Sequence, residues 1–287
     1  MVEVEVVLAA RNELGEGPRW HNGEQAIYWV DIEAGCIHRL QPLGAAHQTA
    51  AAGEKVGALA FRRGGGLLLA GERGFAFFDP SSSVLNRIAD PERDKPGTRF
   101  NDGAVDRAGR FWAGTLGDDY QNSLYRLDPD GSVRRMDTGF DISNGIGWSP
   151  DNRVMYFVDS TPGVLYAYDF DLTGGEIANR RVLVNRSQRP GVPDGLTVDA
   201  AGFIWIAVWG GGCLERYDPR GRLERVIPLP VRYPTSVTFG GADLDELYIT
   251  SARYEIPRAQ RAKHPLAGNL FRIRGIGKGI AEPMFAG

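Results

Sequence analysis

The stretch RFWAGTLGDDYQNSLYRLDP (residues 110–129) contains two short runs, RFWAGTL and SLYRLDP, that are rich in aromatic and branched apolar residues. Runs of this length and composition are typical of buried β-strands. The second run ends in Asp-Pro, which favours a turn and therefore stops a strand. The stretch is predicted to be two adjacent strands, and it decides the fold because the same pair recurs along the chain.

The pair occurs six times. The first runs are AIYWVDI (26–32), GLLLAGE (66–72), RFWAGTL (110–116), VMYFVDS (154–160), FIWIAVW (203–209) and ELYITSA (246–252). The second runs are CIHRLQP (36–42), GFAFFDP (74–80), SLYRLDP (123–129), VLYAYDF (164–170), CLERYDP (213–219) and NLFRIRG (269–275). Aligned on Trp29, Leu69, Trp112, Tyr156, Trp205 and Tyr248, the copies follow one another at spacings of 40, 43, 44, 49 and 43 residues.

Each copy also has a strand on either side of the pair. A run opened by a small residue precedes it, as in DGAVD (102–106), and a weaker run follows it, as in SVRRMDT (132–138). Four strands every ~40–50 residues is the period of a β-propeller blade. The sequence therefore predicts an all-β, six-bladed β-propeller with four antiparallel strands per blade, spanning residues 1–287 as one domain. A two-sheet sandwich array is the alternative, but it does not explain the six-fold register.

The N-terminal run VEVEVVLAA (2–10) has no blade of its own, and the last copy lacks a strong fourth strand. We expect the N-terminal strand to close the last blade, because pairing the two ends removes exposed strand edges. No sustained apolar period of 3.6 residues is found, so helices should be few and short.

The composition excludes several classes of function. The 33 basic and 36 acidic residues give a formal net charge of −3, which favours neither nucleic acid nor an anionic membrane as a partner. No run approaches the roughly 20 apolar residues of a membrane span, and the N-terminus does not resemble a signal peptide. Cys36 and Cys213 have no metal-type spacing and suggest no disulfide framework, so a reduced, cytoplasmic protein is expected.

The repeat also aligns a set of polar residues. In a propeller, the first strand of each blade lines the central axis, so equivalent positions in the six copies converge there. The residues just before the small opening residue are Glu16, Val56, Asp102, Asn144, Asp194 and Thr235. Taken singly, NDG, SNG and PDG are ordinary turn tripeptides. Taken together, carboxylates that converge on an axis repel one another and need a cation or shared protons.

Glu16, Asn144 and Asp194 all offer oxygen atoms. Oxygen ligands without His or Cys favour a hard divalent cation such as Ca²⁺ or Mg²⁺ over a structural zinc. Three protein ligands would leave coordination positions open for water and substrate. We expect one divalent metal ion, with Ca²⁺ as the leading candidate and Mg²⁺, Mn²⁺, Zn²⁺ and Fe²⁺ as alternatives.

Other candidate sites are weaker. The four histidines (His21, His38, His47 and His264) are scattered, and the serines show no nucleophile-elbow pattern. The glycine-rich segments 62–66 and 209–213 lack the lysine of a phosphate loop and are interpreted as hairpins. The basic insertion EIPRAQRAKHPLAG (255–268) is interpreted as a solvated loop that could flank the mouth of the channel.

With these motifs in place, the chain resembles the family of sugar-acid lactonases that includes gluconolactonase and regucalcin. The resemblance covers the whole chain, and its motifs are LGEGPRW (14–20), TRFNDGAVDRAGRFWAGT (98–115), DISNGIGWSPD (141–151), VPDGLTVDAAGFIWIA (192–207) and FGGADLDELYITSAR (239–253). The family's fold is a six-bladed propeller. The resemblance implies hydrolysis of a small sugar lactone. It fits glucono-, galactono-, arabinono- and xylonolactones equally well as substrates.

Carried over by position, the family's metal ligands fall on Glu16, Asn144 and Asp194, and its substrate contacts fall on Arg99 and Asn101. A further acidic substrate contact falls closest to Asp119, where this chain has Asp in place of the Glu of regucalcin. Asp102 follows Asn101 in sequence and is expected to hold a water bound to the metal by accepting a hydrogen bond from it.

The expected mechanism is metal-assisted attack of water on the lactone carbonyl, with Asp194 as the general base. Two alternatives use the same propeller and cation. One is phosphotriester hydrolysis, and the other is a non-catalytic calcium-binding propeller in which the metal only ties the blades together. The polar pair Arg99 and Asn101 favours the sugar lactonase, because hydrogen-bonding residues beside the metal have no use in a purely structural site.

Overall fold

The computed structural model describes residues 2–117 and 121–287, and strands account for most of them. Strand β1 (Glu5–Leu8) comes first in the chain but belongs to the last sheet. In the described residues the strands form six four-stranded antiparallel sheets, which are the blades of a propeller. The predicted six-bladed architecture is therefore confirmed.

Each blade takes four strands. The first blade contains β2 (Gly15–His21), β3 (Ala26–Asp31), β4 (Cys36–Gln41) and β5 (Ala46–Ala51). The second contains β6 (Val56–Phe61), β7 (Leu67–Gly71), β8 (Gly74–Asp79) and β9 (Val84–Ala89). The third contains β10 (Arg99–Val105), β11 (Phe111–Leu116), β12 (Asn122–Leu127) and β13 (Val133–Phe140).

The second half follows the same plan. The fourth blade contains β14 (Ser143–Trp148), β15 (Val154–Asp159), β16 (Val164–Asp171) and β17 (Glu176–Asn185). The fifth contains β18 (Val192–Val198), β19 (Ile204–Trp209), β20 (Cys213–Tyr217) and β21 (Leu223–Pro228). The sixth contains β22 (Pro234–Gly240), β23 (Glu246–Ser251) and β24 (Leu270–Arg274), and a 3₁₀ helix (Arg258–Lys263) lies between β23 and β24.

The N-terminal strand closes the ring as predicted. Strand β1 pairs antiparallel with β24, so that Glu5 lies opposite Arg272 and the sixth blade has the order β1-β24-β23-β22. Both ends of the polypeptide thereby contribute to one sheet, and the last blade gains its fourth strand.

Apolar side chains pack between neighbouring blades. Between the third and fourth blades, for example, Trp112 packs with Met155 and Phe157, and all three are fully buried. Equivalent clusters fill the other blade-to-blade contacts. The aromatic residues that anchor the repeat are thus core residues, because each sheet presents its apolar face to the next blade.

The six inner strands stand next to one another around the axis, and each has a β-bulge near its opening residue. A bulge bends the strand and redirects the side chains beside it. At Gly57 and Gly195 the close approach of the neighbouring strand leaves no room for a side chain. A Cβ on Gly57 would lie 2.4 Å from the carbonyl oxygen of Phe100, and one on Gly195 would lie 2.3 Å from the Cβ of Ser236.

Gly57→Ala is expected to lower the free energy of unfolding by about 1–3 kcal/mol, because the added methyl group meets backbone and not a flexible side chain. Thermal or urea unfolding measures the loss. Gly64→Ala is the matched control, since its Cβ would come no closer than 3.8 Å to the Arg62 guanidinium, and it should change stability by less than about 0.5 kcal/mol. Equal stability of the two variants would contradict the close packing of the inner strands.

The two ends of the axis differ. The C-terminal tail crosses one end, where the amides of Gly279, Phe285 and Ala286 donate to the carbonyls of Leu244, Phe61 and Gly109. Residues 280–283 of the tail cover the ends of the inner strands there. The beginnings of the inner strands, which carry the aligned polar residues, lie at the opposite end.

Among the described residues, the helical segment is too short and too polar to cross a membrane.

Cys36 and Cys213 are both free thiols and half-buried. Segments 62–66 and 209–213 connect β6 to β7 and β19 to β20, which confirms their interpretation as hairpins.

Candidate active site

A cavity of about 240 Å³ opens where the inner strands begin. Five of the predicted site residues line it: Glu16, Arg99, Asn101, Asn144 and Asp194. Ser160 and Glu255 also line it, and the rest of the wall is apolar or aromatic, formed by Leu14, Ile32, Leu116, Ile142, Val192, Trp209 and Tyr254. Residues more than a hundred positions apart meet here because the repeat brings the start of every inner strand to one axis. Asp119 lies outside the described residues.

Glu16 and Asp194 form an acidic pair at this cavity. They are only 6% and 5% exposed, so both carboxylates are removed from bulk water. Burial, followed by the negative charge of Asp102, raises the pKa of Glu16 to about 8. Burial and then the charges of Glu16 and Asp102 raise the pKa of Asp194 well above its ordinary value. Such carboxylates need either protons or a cation to remain side by side.

The backbone holds Glu16 in place, whereas part of Asp194 is left without a partner. The amide of Gly17 donates to Glu16 Oε2 at 2.9 Å. Asp194 Oδ1 is buried and accepts no hydrogen bond from a described backbone amide, hydroxyl or guanidinium group. In the metal-free protein a proton shared with Glu16 can bridge the two carboxyl groups. A bound cation would satisfy the same oxygen, so its position beside the cavity fits a cation ligand.

Asn144 is oriented by two neighbours. Its Nδ2 donates to Ser160 Oγ at 2.9 Å, and the Ser160 hydroxyl donates in turn to the carbonyl of Pro193 at 2.7 Å. Its Oδ1 accepts from Asn101 Nδ2 at 3.2 Å. Because the amide nitrogen is committed to Ser160, the oxygen faces the site and retains a second lone pair.

Arg99 and Asn101 form the polar side of the cavity on the third blade. Arg99 Nη1 donates to Asn101 Oδ1 at 2.8 Å and to the carbonyl of Phe100 at 2.9 Å. Asn101 also donates to the carbonyl of Ser143 at 2.9 Å, which ties the third blade to the fourth. Burial lowers the pKa of Arg99, and the charges of Glu33, Glu16 and Glu72 oppose that shift.

Asp102 lies beside this cavity and not on its lining. It is 3% exposed and accepts from the amide of Gly103 at 2.7 Å. Arg19 Nη2 lies 3.9 Å from Asp102 Oδ1, and Arg19 also contacts Glu282 of the C-terminal tail at 3.5 Å. Burial raises the pKa of Asp102, and Arg19 opposes the shift. The positive charge of Arg19, which lies between Asp102 and the C-terminal tail, thus partly compensates the negative charge of Asp102.

The donor set fits a hard divalent cation. Two buried carboxylates and an oriented amide oxygen face one cavity, and one carboxylate oxygen is unpaired. In the described parts of the chain no group of three His, Cys, Asp or Glu residues is placed to hold a metal. The candidate set contains only two residues of these types, because its third member is an amide, and amide oxygens are suitable ligands for Ca²⁺.

Several residues of the site were not predicted from the sequence. Ser160 follows β15 and fixes Asn144, while Trp209 ends β19 and Tyr254 precedes the basic insertion. The insertion does flank the cavity, since its first residue, Glu255, lines it next to Tyr254. The repeat could have indicated Ser160 and Trp209, because both lie at the end of a second strand, next to the start of an inner strand.

A sequence profile described as SMP-30/Gluconolactonase/LRE-like region matches residues 14–253. The chain is 37% identical over 293 residues to regucalcin of Danio rerio, covering 100% of this chain and 99% of that protein. It is 40% identical over 281 residues to the pentonolactonase XacC of Haloferax volcanii, covering 94% and 93% of the two chains.

A solved structure agrees in fold. The calcium-binding protein regucalcin of Agrobacterium tumefaciens superposes with a TM-score of 0.95 at 30% identity, covering 99% of this chain and 97% of that one. The profile match and the sequence identities extend over most or all of the chain. The chain belongs to the SMP-30/gluconolactonase/LRE-like family.

Proposed function

We propose that this protein hydrolyses a small sugar lactone to the corresponding aldonic acid with the help of one divalent cation. The observation that carries the proposal is the meeting of Glu16, Asn144 and Asp194 with Arg99 and Asn101 at one 240 Å³ cavity. The similarity to a pentonolactonase supports the same substrate class. The calcium-binding name of the Agrobacterium tumefaciens protein supports a divalent cation.

Glu16, Asn144 and Asp194 would hold the cation. Their oxygen atoms suit Ca²⁺ first, and Mg²⁺, Mn²⁺, Zn²⁺ and Fe²⁺ are the alternatives. A bound cation would polarise the lactone carbonyl as a Lewis acid and stabilise the negative charge that develops on its oxygen. It would also compensate the mutual repulsion of the two buried carboxylates.

Asp194 is proposed as the general base. Its Oδ1 has no protein donor and is therefore able to accept a proton from water. The water oxygen forms the bond to the carbonyl carbon as Asp194 takes the proton. The bond from that carbon to the ring oxygen then breaks, and the proton passes from Asp194 to the leaving hydroxyl. Lactone and water are consumed, and one aldonic acid is formed without a covalent intermediate.

Arg99 and Asn101 would position the sugar. The guanidinium presents several donors in a fixed plane, and the amide offers both a donor and an acceptor. Because the two side chains are bonded to each other and to the backbone, their orientation is set before the substrate binds. Preset donors reduce the entropy cost of orienting the lactone for attack. Asp102 would accept a hydrogen bond from a water that the cation holds.

A matrix of substrates and metals tests the proposal. Glucono-, galactono-, arabinono- and xylonolactones are each assayed by acid release with Ca²⁺, Mg²⁺, Mn²⁺, Zn²⁺, Fe²⁺ or chelator. Turnover of at least one lactone that chelator abolishes is the expected result. Turnover of an organophosphate in preference to every lactone would favour a phosphotriesterase. No turnover, together with a large loss of thermal stability on chelation, would favour a structural calcium site.

The pH dependence of the metal-free protein is a further prediction. Between pH 6.5 and 8 its free energy of unfolding should fall by ~1.5 kcal/mol through Glu16 alone. The folded pKa of Glu16 is about 8 against an ordinary 4.5, so in this window the folded chain retains a proton that the unfolded chain has already released, and a rising pH favours the unfolded state. Urea unfolding in chelator at the two pH values measures the effect, and Glu16→Gln should reduce it. Stability that rises with pH in chelator would contradict a raised pKa.

A further inference from the structure

Two aromatic side chains, Trp209 and Tyr254, line the cavity away from its hydrogen-bonding side. Arg99 and Asn101 belong to the third blade, whereas Trp209 ends β19 of the fifth blade and Tyr254 follows β23 of the sixth. In a ring of six blades the sixth stands opposite the third, and the fifth, which also carries Asp194, stands next to the sixth. The two aromatic side chains therefore border the cavity from adjacent blades, with Tyr254 across from the polar pair.

Trp209 differs from the buried tryptophans of the core. Trp29, Trp112 and Trp205 are fully buried between blades, whereas Trp209 is only half-buried and borders the cavity. Its backbone pairs with Val192 at the start of β18, two residues before Asp194. Its ring packs against Tyr233, with ring centroids 4.9 Å apart. The indole is thus packed beside the strand that carries Asp194.

Tyr254 is 52% exposed, yet its position is set by strong contacts. Its backbone amide donates to the carbonyl of Glu13 at 2.9 Å. The carboxylate of Glu13 is clamped by Arg253 and by Arg261 of the 3₁₀ helix, with both Arg261 contacts at 2.7 Å. The basic insertion is therefore tied to the first blade, and this tie places Tyr254 at the mouth of the cavity.

A sugar lactone ring has two kinds of surface. Its edge carries hydroxyl groups and the carbonyl, which require hydrogen bonds, and its faces carry C–H groups, which do not. An aromatic face is large, rigid and electron-rich, so it packs well against weakly positive C–H groups. Binding cavities commonly combine apolar and aromatic walls with a few polar groups that orient the ligand.

We propose that Trp209, together with Tyr254, is the wall on which the C–H face of the sugar ring stacks. This inference rests on the proposed lactone hydrolysis and extends it by assigning residues that set affinity for the ring. Trp209 and Tyr254 hold the ring, Arg99 and Asn101 bind its hydroxyl groups, and the acidic residues act on its carbonyl.

The kinetic test compares Trp209→Leu and Trp209→Phe with the unaltered protein, using D-glucono-δ-lactone and D-xylono-γ-lactone at saturating cation. Trp209→Leu should raise KM about tenfold and change kcat by less than about threefold, since a contact equal in ground and transition states affects binding alone. Trp209→Phe should recover part of the loss, because it retains a ring. Tyr254→Leu should raise KM to a smaller extent.

An equilibrium test uses 1,5-anhydro-D-glucitol, a six-membered sugar ring that has no carbonyl to hydrolyse. Its binding should quench tryptophan fluorescence, and Trp209→Phe should remove most of the change. Trp148→Phe is the matched control, because Trp148 is also half-buried but lies at the other end of the axis, beside the C-terminal tail. That variant should retain the quenching.

The outcomes separate this inference from the proposed function. An unchanged KM in Trp209→Leu would overturn the stacking wall, and so would quenching that persists in Trp209→Phe. Weaker cation binding by Trp209→Leu, measured by calorimetry, would instead assign Trp209 a structural role at the metal ligands. If the unaltered protein hydrolyses no lactone, the proposed function fails, while quenching by 1,5-anhydro-D-glucitol that depends on Trp209 would still support a sugar-binding wall.

Discussion

Asp194→Asn is expected to lower kcat for lactone hydrolysis by about 10³-fold or more while the protein remains folded. The change keeps the shape of the side chain but removes the basic oxygen that would take the proton from water. General-base catalysis contributes about 10²–10⁴-fold, and the lost ligand charge adds to the effect. Because Asn is neutral, it also relieves repulsion with Glu16, so stability should not decrease.

The measurement is acid release from the best lactone of the substrate panel, with circular dichroism and thermal unfolding as checks on the fold. Asp243→Asn is the control, since Asp243 is an exposed carboxylate outside the cavity. The variant must be assayed over a range of cation concentrations, because Asp194 is proposed both as a ligand and as the base. Full activity at saturating cation would reject the role as base and leave only the role as ligand.

Glu16→Gln is expected to weaken cation binding by about 100-fold. Glu16 is one of the two carboxylates in the proposed ligand set, and a neutral amide offers a hard cation much less charge. Isothermal titration of the chelator-treated protein with Ca²⁺, followed by the other ions, measures the loss. The metal-free variant should unfold at a higher temperature than the metal-free unaltered protein at pH 8, because no buried carboxylate must ionise at this position.

Glu255→Gln is the matched control for Glu16→Gln. Glu255 also lines the cavity, but it is exposed at the mouth, where solvent screens its charge. It should change cation affinity by less than about threefold. If Glu16→Gln leaves the Ca²⁺ affinity unchanged, Glu16 is not a ligand. Asp102 would then be the candidate for the second carboxylate ligand.

Most of the fold could be predicted because its signals are local and repeated. Each strand of the third blade has its own pattern, and the turn residues between them, such as Asp128 and Pro129, are recognisable without tertiary information. One such pattern would be ambiguous, but six copies at similar spacing indicate a ring. The ring then implies that Glu16, Asn144 and Asp194 approach one another, because symmetry brings equivalent positions to the axis.

Contacts outside the repeat could not be predicted. The approach of Arg19 to Glu282 and the position of Tyr254 each depend on how particular loops and the tail pack. No local pattern encodes these contacts, since residues such as Arg19 and Glu282 are separated by almost the whole chain. The pairing of His38 with His47 across β4 and β5, at 3.1 Å, was likewise not evident from their positions in the sequence.

The sequence by itself determined the six-bladed architecture and the family, because strand periodicity, turn chemistry and family motifs are properties of short segments. It also indicated which oxygen-bearing residues face the axis. Only the tertiary structure decided which oxygen is left unpaired at Asp194, how Arg19 balances the acidic residues, and which aromatic rings border the cavity. These features arise from packing between distant segments, where burial and electrostatic interactions depend on distances that no single segment specifies.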